Sequence, residues 1–137
     1  MSLWKKSATP DQLNQFAANC LVGHLQIKVT AIDDNSITAT MPVASFTQQP
    51  LGFLHGGASV VLAETLGSMA GHLACEEGQI CFGVEVNANH MRSVKEGLVT
   101  AVAEPLHIGK SMQVWDIKIT DQRDQLICVS RLTVAVK

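Results

Sequence analysis

The sequence predicts one α+β domain, in which an antiparallel β-sheet packs against a single long apolar helix. Apolar residues recur at helical spacing near the N-terminus, residues 57–75 are apolar almost all round, and most other segments alternate with period two. Short turns separate successive strands, which favours antiparallel pairing. The 137 residues contain no linker or internal repeat, so we expect one domain over residues 1–137.

The first predicted helix begins at Pro10. Thr9 is a suitable N-cap, proline suits the first helical position, and Gln12 completes a capping box. An apolar stripe follows at helical spacing, formed by Leu13, Phe16 and Ala17. We expect this helix to end near Gly23.

The next segments predict a hairpin and then a long loop. Residues 25–31 and 37–41 alternate between apolar and polar positions around an Asp-Asp-Asn turn. Residues 42–54 contain two prolines, and loops of this length inside compact domains are often functional. After the apolar helix, four more strands are predicted at residues 80–90, 98–107, 112–120 and 126–136.

The helix over residues 57–75 carries few polar side chains. Glu64, Ser68 and His72 follow one another at steps of four and therefore share one face. A face of this kind can be functional, or it can be the solvent-facing edge of a buried helix. The spacing alone leaves both interpretations open.

The residues before this helix favour the functional interpretation. His55-Gly56-Gly57 places glycines at a helix N-terminus, where free N–H groups point outward and negative charge is stabilised. Glycine lets a ligand approach those N–H groups without meeting a side chain. This is the architecture of an oxyanion hole, and the carboxylate of Glu64 lies two turns further along.

Three segments carry a more specific signal: QQPLGFLHGGASVVLAETLGSMAG, VEVNANHMRSVKEG and EPLHIGKSMQVWDIKI. Together they resemble the hotdog-fold acyl-CoA thioesterases of the phenylacetate-type superfamily. Within that family they are most similar to the bacterial 1,4-dihydroxy-2-naphthoyl-CoA thioesterases of menaquinone synthesis. The resemblance covers essentially the whole chain and implies a sheet wrapped around the helix at 57–75. It also implies homodimers or homotetramers with active sites between subunits.

The same resemblance implies a reaction centre and a coenzyme A site. Glu64 would be the nucleophile or the general base, and the Gly56 N–H would polarise the thioester carbonyl. Other side chains implied at the reaction centre are Gln49, His55 and Ser68. Residues implied in binding coenzyme A are Gly83, His90, Met91, Arg92, Ser93, His107, Ile108, Gly109, Lys110, Ser111 and Met112. Coenzyme A is part of the substrate, so no separate cofactor is expected.

Composition excludes several other classes of function. A net charge of −2 without a basic run gives no reason to expect nucleic acid. No apolar run is long enough to span a bilayer, and no signal peptide is evident, so we expect a cytoplasmic protein. The four cysteines lack paired spacing and are expected to be reduced core thiols, and no metal site is expected. Met1-Ser2-Leu3 can include a remnant of cloning.

Two alternatives to thioester hydrolysis remain. Another hotdog enzyme, such as a hydratase acting on acyl thioesters, would use a histidine and an acid in a different arrangement. A non-catalytic acyl-CoA binder would be expected to lack Glu64. Phe53, Leu54, Phe82 and Val84 are candidate pocket walls, and their bulk favours a large or aromatic acyl group.

Overall fold

The computed structural model describes residues 2–137. Met1, the first residue of the suspected cloning remnant, lies outside this range. Among residues 2–137, no helix is long and apolar enough to cross a membrane.

Residues 2–137 form three helices and one six-stranded sheet. The helices are α1 (Pro10–Phe16), α2 (Leu21–His24) and α3 (Gly56–Ala74). The strands are β1 (Lys28–Ile32), β2 (Ile37–Val43), β3 (Cys81–His90), β4 (Gly97–Ile108), β5 (Met112–Thr120) and β6 (Leu126–Val136). The strand order is β1-β2-β4-β5-β6-β3, and every neighbouring pair is antiparallel. The sequence prediction of an α+β fold with a long central helix is therefore confirmed.

Helix α3 packs closely against one face of the sheet because small residues line its contact surface. A Cβ atom added to Gly67 would lie 2.6 Å from Leu132 Cδ2 on β6 and 3.3 Å from Ile117 Cδ1 on β5. Leu132 and Ile117 are fully buried. The absence of a side chain at Gly67 therefore allows the helix to approach the sheet at this position.

The N-terminal arm closes one end of the core. Trp4 stacks on the fully buried Trp115, with ring centroids 6.1 Å apart and an interplanar angle of 5°. The Trp4 indole N–H donates to the carbonyl of Asp33, 2.6 Å away. Both tryptophans are therefore packing residues.

The N-terminal helical region differs from its prediction. The predicted capping box at Thr9 is present, but the helix ends at Phe16, and a separate short helix begins at Leu21. The chain folds back between them, and the Gly23 N–H donates to the carbonyl of Ala17. A Cβ on Gly23 would overlap the carbonyl of Ala18, so this reversal needs glycine there. The predicted apolar stripe also fails at Phe16, whose side chain is 92% exposed.

The other boundaries are close to those predicted, apart from the first strand. Strand β1 begins at Lys28 rather than residue 25, because Gln26 has a positive φ of 58° that interrupts an extended conformation. The bounds of β5 and β6 coincide with those predicted, and α3 differs by one residue at each end.

The four cysteines are free thiols, but they are not all in the core. Cys75 and Cys128 are buried, Cys81 is half-buried and Cys20 is exposed. The prediction of four core thiols is therefore wrong for Cys20, which follows α1 in the chain reversal. Burial raises the pKa of the Cys81 thiol to about 11, and it also raises the pKa of Cys128.

Candidate active site

The N-terminus of α3 presents one backbone donor that its own residues do not use. His55 is the N-cap, and its Nδ1 accepts a hydrogen bond from the Gly57 N–H at 2.8 Å. The N–H groups of Ala58 and Ser59 both donate to the carbonyl of His55. Of the four N–H groups that begin a helix without helical partners, only that of Gly56 has no acceptor within residues 2–137.

Gln49 lies beside this helix end in the loop that precedes it. Its backbone N–H donates to the Phe53 carbonyl at 2.8 Å, and its Oε1 accepts from the Leu51 N–H. These bonds hold the tight turn of residues 49–53. Because Oε1 is engaged, the Nε2 amide is the donor that Gln49 can offer to a ligand.

A cavity of about 390 Å³ opens at this end of α3. Residues of the 49–56 loop and helix start line it together with the chain after β3; they include Gln49, Phe53, Leu54, Gly56, Ser59, His90, Met91, Arg92 and Ser93. The His90 ring packs over Gly56, because a Cβ there would lie 3.0 Å from His90 Nε2. The structure therefore brings several predicted groups together: Gln49, Gly56 and the segment 90–93 share one cavity, with His55 capping the same helix end.

Glu64 lines a different cavity. This second cavity measures about 510 Å³ and lies between α3 and the α1–α2 region. The polar face predicted from sequence is present in it, with Glu64, Ser68 and His72. The apolar side chains around them are Leu13, Phe16, Ala17, Leu21, Val22, Val61 and Met69.

The Glu64 carboxylate is unusual in having no partner. It is half-buried, and within residues 2–137 it makes no hydrogen bond or ion pair. Gly83 on β3 lies close to it, since a Cβ added there would lie 2.6 Å from Oε2. Its oxygens remain accessible to solvent, so the carboxylate is available to a ligand that enters this largely apolar cavity.

Burial lowers the pKa of the third residue of this face, His72, and the nearby Lys6 ammonium lowers it further, while Glu77 opposes the shift. Lys6 Nζ lies 3.4 Å from His72 Nδ1. The neutral imidazole is therefore favoured. His72 lies in the last turn of α3, at one end of the Glu64 cavity.

The last predicted coenzyme segment lies elsewhere again. This segment, residues 107–112, comprises the end of β4, the turn at residues 109–111 and the first residue of β5, and the Gly109 N–H donates to the Met112 carbonyl at 2.8 Å. The His107 ring covers Gly109, since a Cβ there would come within 2.8 Å of Nε2. Ile108, Gly109 and Lys110 line a third cavity of about 480 Å³, next to the C-terminal end of α3.

The predicted site residues are thus divided among three places in one chain. Met112 at the start of β5 pairs with Ala135 on β6, and Ala135 pairs with Phe82 at the start of β3. His90 lies at the other end of β3. The segments 90–93 and 107–112 are consequently at opposite ends of the sheet. Gly56 and Glu64 are eight residues apart on one helix, or about 12 Å along its axis. Within one chain these two residues therefore do not lie side by side.

Sequence reasoning missed two features of these cavities. Phe82 and Val84, predicted as pocket walls, are exposed on β3, whereas the apolar wall next to Glu64 comes from α1, α2 and α3. The contact of Gly83 with Glu64 was also missed. A glycine inside a strand was the available signal, since it often marks a close approach.

Comparison with known proteins assigns a family to this geometry. The thioesterase superfamily model matches residues 51–128, which include α3, the predicted reaction centre from residue 55 onward and both coenzyme segments. A 1,4-dihydroxy-2-naphthoyl-CoA hydrolase of Escherichia coli is 51% identical over 134 residues, covering 98% of each chain. A proofreading thioesterase of Cronobacter turicensis is 48% identical over 134 residues, again covering 98% of each. The crystal structure of a Haemophilus influenzae thioesterase superposes with a TM-score of 0.97 at 51% identity, covering 98% of this chain and 94% of the other.

Proposed function

This chain belongs to the thioesterase superfamily and is a thioester hydrolase, and from that premise we propose that it hydrolyses an acyl-CoA with Glu64 as nucleophile or general base. The observation that carries the proposal is the half-buried, unpaired Glu64 carboxylate, which no structural role explains. The Gly56 N–H is the proposed oxyanion donor, because it is the one unused donor at the start of α3.

The proposed chemistry needs these two groups and little else. Attack on the thioester carbonyl places negative charge on its oxygen, and one backbone donor of this kind contributes about 2.7–4 kcal/mol to the transition state. A carboxylate can attack directly or can remove a proton from water. The leaving group is a thiolate, which departs without a strong general acid. Ser68, one turn from Glu64, is placed to orient the carboxylate or the water.

We infer that a second copy of the chain completes this site. The reacting carbon and oxygen of one carbonyl are about 1.2 Å apart, so the nucleophile and the oxyanion donor must both lie within about 3–3.5 Å of that bond. The separation of Gly56 and Glu64 along α3 excludes this within one chain. We therefore assign the Gly56 and the Glu64 of each active site to different subunits.

The two edges of the sheet support an assembly through β3. The β1 edge is covered, because the Asn14 side chain both donates to the Val29 carbonyl at 3.0 Å and accepts from the Val29 N–H at 2.8 Å. Strand β3 pairs only with β6 among the described strands, and its Phe82 and Val84 are 54% and 63% exposed. A long, exposed strand edge that carries such apolar side chains is a template for pairing with another chain.

Two-fold pairing on β3 would also bring the divided residues together. A two-fold axis makes the two β3 strands antiparallel, so the end of one strand meets the start of the other. The partner's His90 then lies near Gly83, and the partner's Gly56, which packs against that histidine, approaches Glu64. The segments 90–93 and 107–112 from different subunits meet at the same end of the sheet. A homodimer, alone or paired into a homotetramer, meets this requirement.

The cavity next to Glu64 favours a bulky apolar acyl group. Its volume of about 510 Å³ is within the range of small-molecule sites, and apolar side chains form most of its wall. We propose that the physiological substrate is an aromatic acyl-CoA such as 1,4-dihydroxy-2-naphthoyl-CoA, whose hydrolysis is a step of menaquinone synthesis. The name of the Escherichia coli relative supports that choice, although the Cronobacter relative is named for proofreading.

Replacement of Glu64 by glutamine tests the chemical role. Glu64→Gln keeps the shape of the side chain but removes the charge, so turnover of an aromatic acyl-CoA should fall by several orders of magnitude. Thermal stability should hold or rise, because an unpaired half-buried charge is lost. Glu77→Gln, at the exposed end beyond α3, is the matched control. Turnover of Glu64→Gln within about threefold of wild type, about 0.65 kcal/mol of barrier, would exclude the catalytic assignment.

Mixing the same variant with a second one tests the shared site. Gly56→Leu should be inactive, because its side chain meets the His90 ring and fills the first cavity. Random heterodimers with Glu64→Gln have one intact site in two, so an equal mixture should regain about a quarter of wild-type activity. No recovery in verified heterodimers would place each complete site within one chain.

A further inference from the structure

Gly83 is a glycine whose backbone does not require one. It lies inside β3 and is absent from the glycines with positive φ, which are Gly52, Gly78 and Gly97. A glycine inside a strand destabilises it relative to residues with side chains. The reason for glycine at position 83 therefore lies in the space around it.

That space is occupied by Glu64. A Cβ on Gly83 would lie 2.6 Å from Glu64 Oε2, 3.6 Å from Glu64 Cδ and 3.3 Å from Leu132 Cδ1. Leu132 is fully buried in the core and cannot retreat. The Glu64 carboxylate is at the free end of a flexible side chain. An added methyl group would therefore move the carboxylate by several tenths of an ångström and leave the core in place.

The strand changes register at this point. Gly83 pairs with Val134 and Glu85 pairs with Thr133, so Val84 is an extra residue in β3. A bulge of this kind redirects the strand and the residues next to it, and bulges are frequent beside active sites. At this bulge the side-chain direction of Gly83 meets Glu64 of α3, whereas Val84 is exposed.

We propose that Gly83 is a positioning residue for the Glu64 carboxylate. Because Gly83 has no side chain, it leaves a space, called here the seat, in which Glu64 Oε2 lies at the angle required for attack. This role rests on the proposed function of Glu64 and differs from the coenzyme contact that the family resemblance implies for Gly83. It also explains how a destabilising residue is retained inside β3, since the benefit is in turnover and not in folding.

Gly83→Ala is the direct test. Because misplacement of a reacting group by about 1 Å can cost about 100-fold in rate, kcat should fall at least tenfold, while KM stays within threefold and Tm within about 2 °C of wild type. Gly67→Ala is the matched control, because its Cβ meets the same Leu132 at 2.6 Å but not Glu64. It should lower Tm, with kcat retained at temperatures where the variant is folded.

Shortening the acid provides a rescue test. In the Glu64→Asp background, the carboxylate no longer reaches position 83, so adding Gly83→Ala should lower kcat less than twofold further. Such non-additivity is the signature of two residues in direct contact. A crystal structure of Gly83→Ala should also show the Glu64 carboxylate displaced from β3, a readout that does not depend on residual activity.

Four results would overturn this role, and three of them concern Gly83→Ala alone: a kcat that falls less than tenfold, a rise in KM alone, or a Glu64 carboxylate that has not moved. An equal loss of kcat when Gly83→Ala is added to the wild type and to the Glu64→Asp variant would do so as well. These outcomes are separate from failure of the proposed function. If Glu64→Gln is inactive while Gly83→Ala behaves as wild type, Glu64 keeps its role and only the seat at Gly83 is wrong.

Discussion

Phe16 is the most exposed large apolar side chain of the chain's described part, and it lines the cavity next to Glu64. It contributes little to folding, since 92% of its surface is open to solvent. If the acyl group occupies this cavity, it will cover part of the Phe16 ring. Phe16→Ala should therefore impair reaction with bulky acyl groups and leave the stability of the protein unchanged.

The magnitude follows from the area that an acyl group can cover. A phenyl side chain buries about 150–250 Å² when fully covered, so one covered face accounts for roughly 60–80 Å². At about 25 cal/mol per Å², that contact contributes about 1.5–2 kcal/mol. The expected loss in kcat/KM for naphthoyl-CoA or benzoyl-CoA is therefore about 13- to 30-fold. Acetyl-CoA does not reach the ring and should lose less than threefold.

Release of free thiol measures both rates, and thermal unfolding measures stability. Leu98→Ala is the control, because Leu98 is an exposed apolar residue on β4 outside this cavity. Equal losses for aromatic and acetyl substrates would refute the acyl assignment of the cavity. A fall in Tm or a loss of assembly without a change in selectivity would instead make Phe16 a subunit contact.

Two further predictions concern the coenzyme and pH. Arg92→Ala should raise KM for acyl-CoA with little change in kcat, and the effect should be smaller for an acyl-pantetheine, which lacks the nucleotide phosphates. Arg123→Ala, in the β5–β6 turn, is the control. Equal losses on both substrates would exclude Arg92 from the coenzyme site. Burial and then the Lys6 ammonium lower the pKa of His72 from its ordinary value of 6.5, so the folded protein binds the imidazole proton less readily than the unfolded chain. The contribution of His72 to the free energy of unfolding is therefore present above about pH 6.5 and is lost as the pH falls through the lowered pKa. Urea unfolding of His72→Gln should show a flatter dependence between pH 7 and pH 5, and an unchanged slope would mean that another group is responsible.

The regular elements could be predicted because their signals are local. Strand β5 alternates between core and surface along its whole length, and β6 does so from Cys128 onward, so the period of two identifies both strands. The break between α1 and α2 could not be predicted in the same way. The apolar spacing of Leu13, Phe16 and Ala17 runs up to the break without any sign that the helix ends, and it is the close approach of Gly23 to Ala18 that shows the chain reversal.

The same distinction applies to the candidate site. The N-terminal donor of α3 follows from the local sequence His55-Gly56-Gly57, and its predicted geometry is present. The relation between Gly56 and Glu64 is not local, because it depends on which surfaces two copies present to each other. The seat at Gly83 likewise depends on how β3 lies against α3, which no spacing within either element reveals.

In the proposed assembly, the register of β3 pairing sets the catalytic geometry. Helix α3 fixes Gly56 and Glu64 about 12 Å apart within each chain, so only the other subunit can bring an oxyanion donor to Glu64. Each donor moves with its own β3, because His90 at the strand end packs on Gly56. A slip of two residues between paired strands would move that donor by about 6.7 Å, which is more than the length of the bond to be polarised. In this assembly, the apolar edge residues Phe82 and Val84 and the bulge next to Gly83 would act on turnover through alignment, even though Phe82 and Val84 lie outside the Glu64 cavity of their own chain.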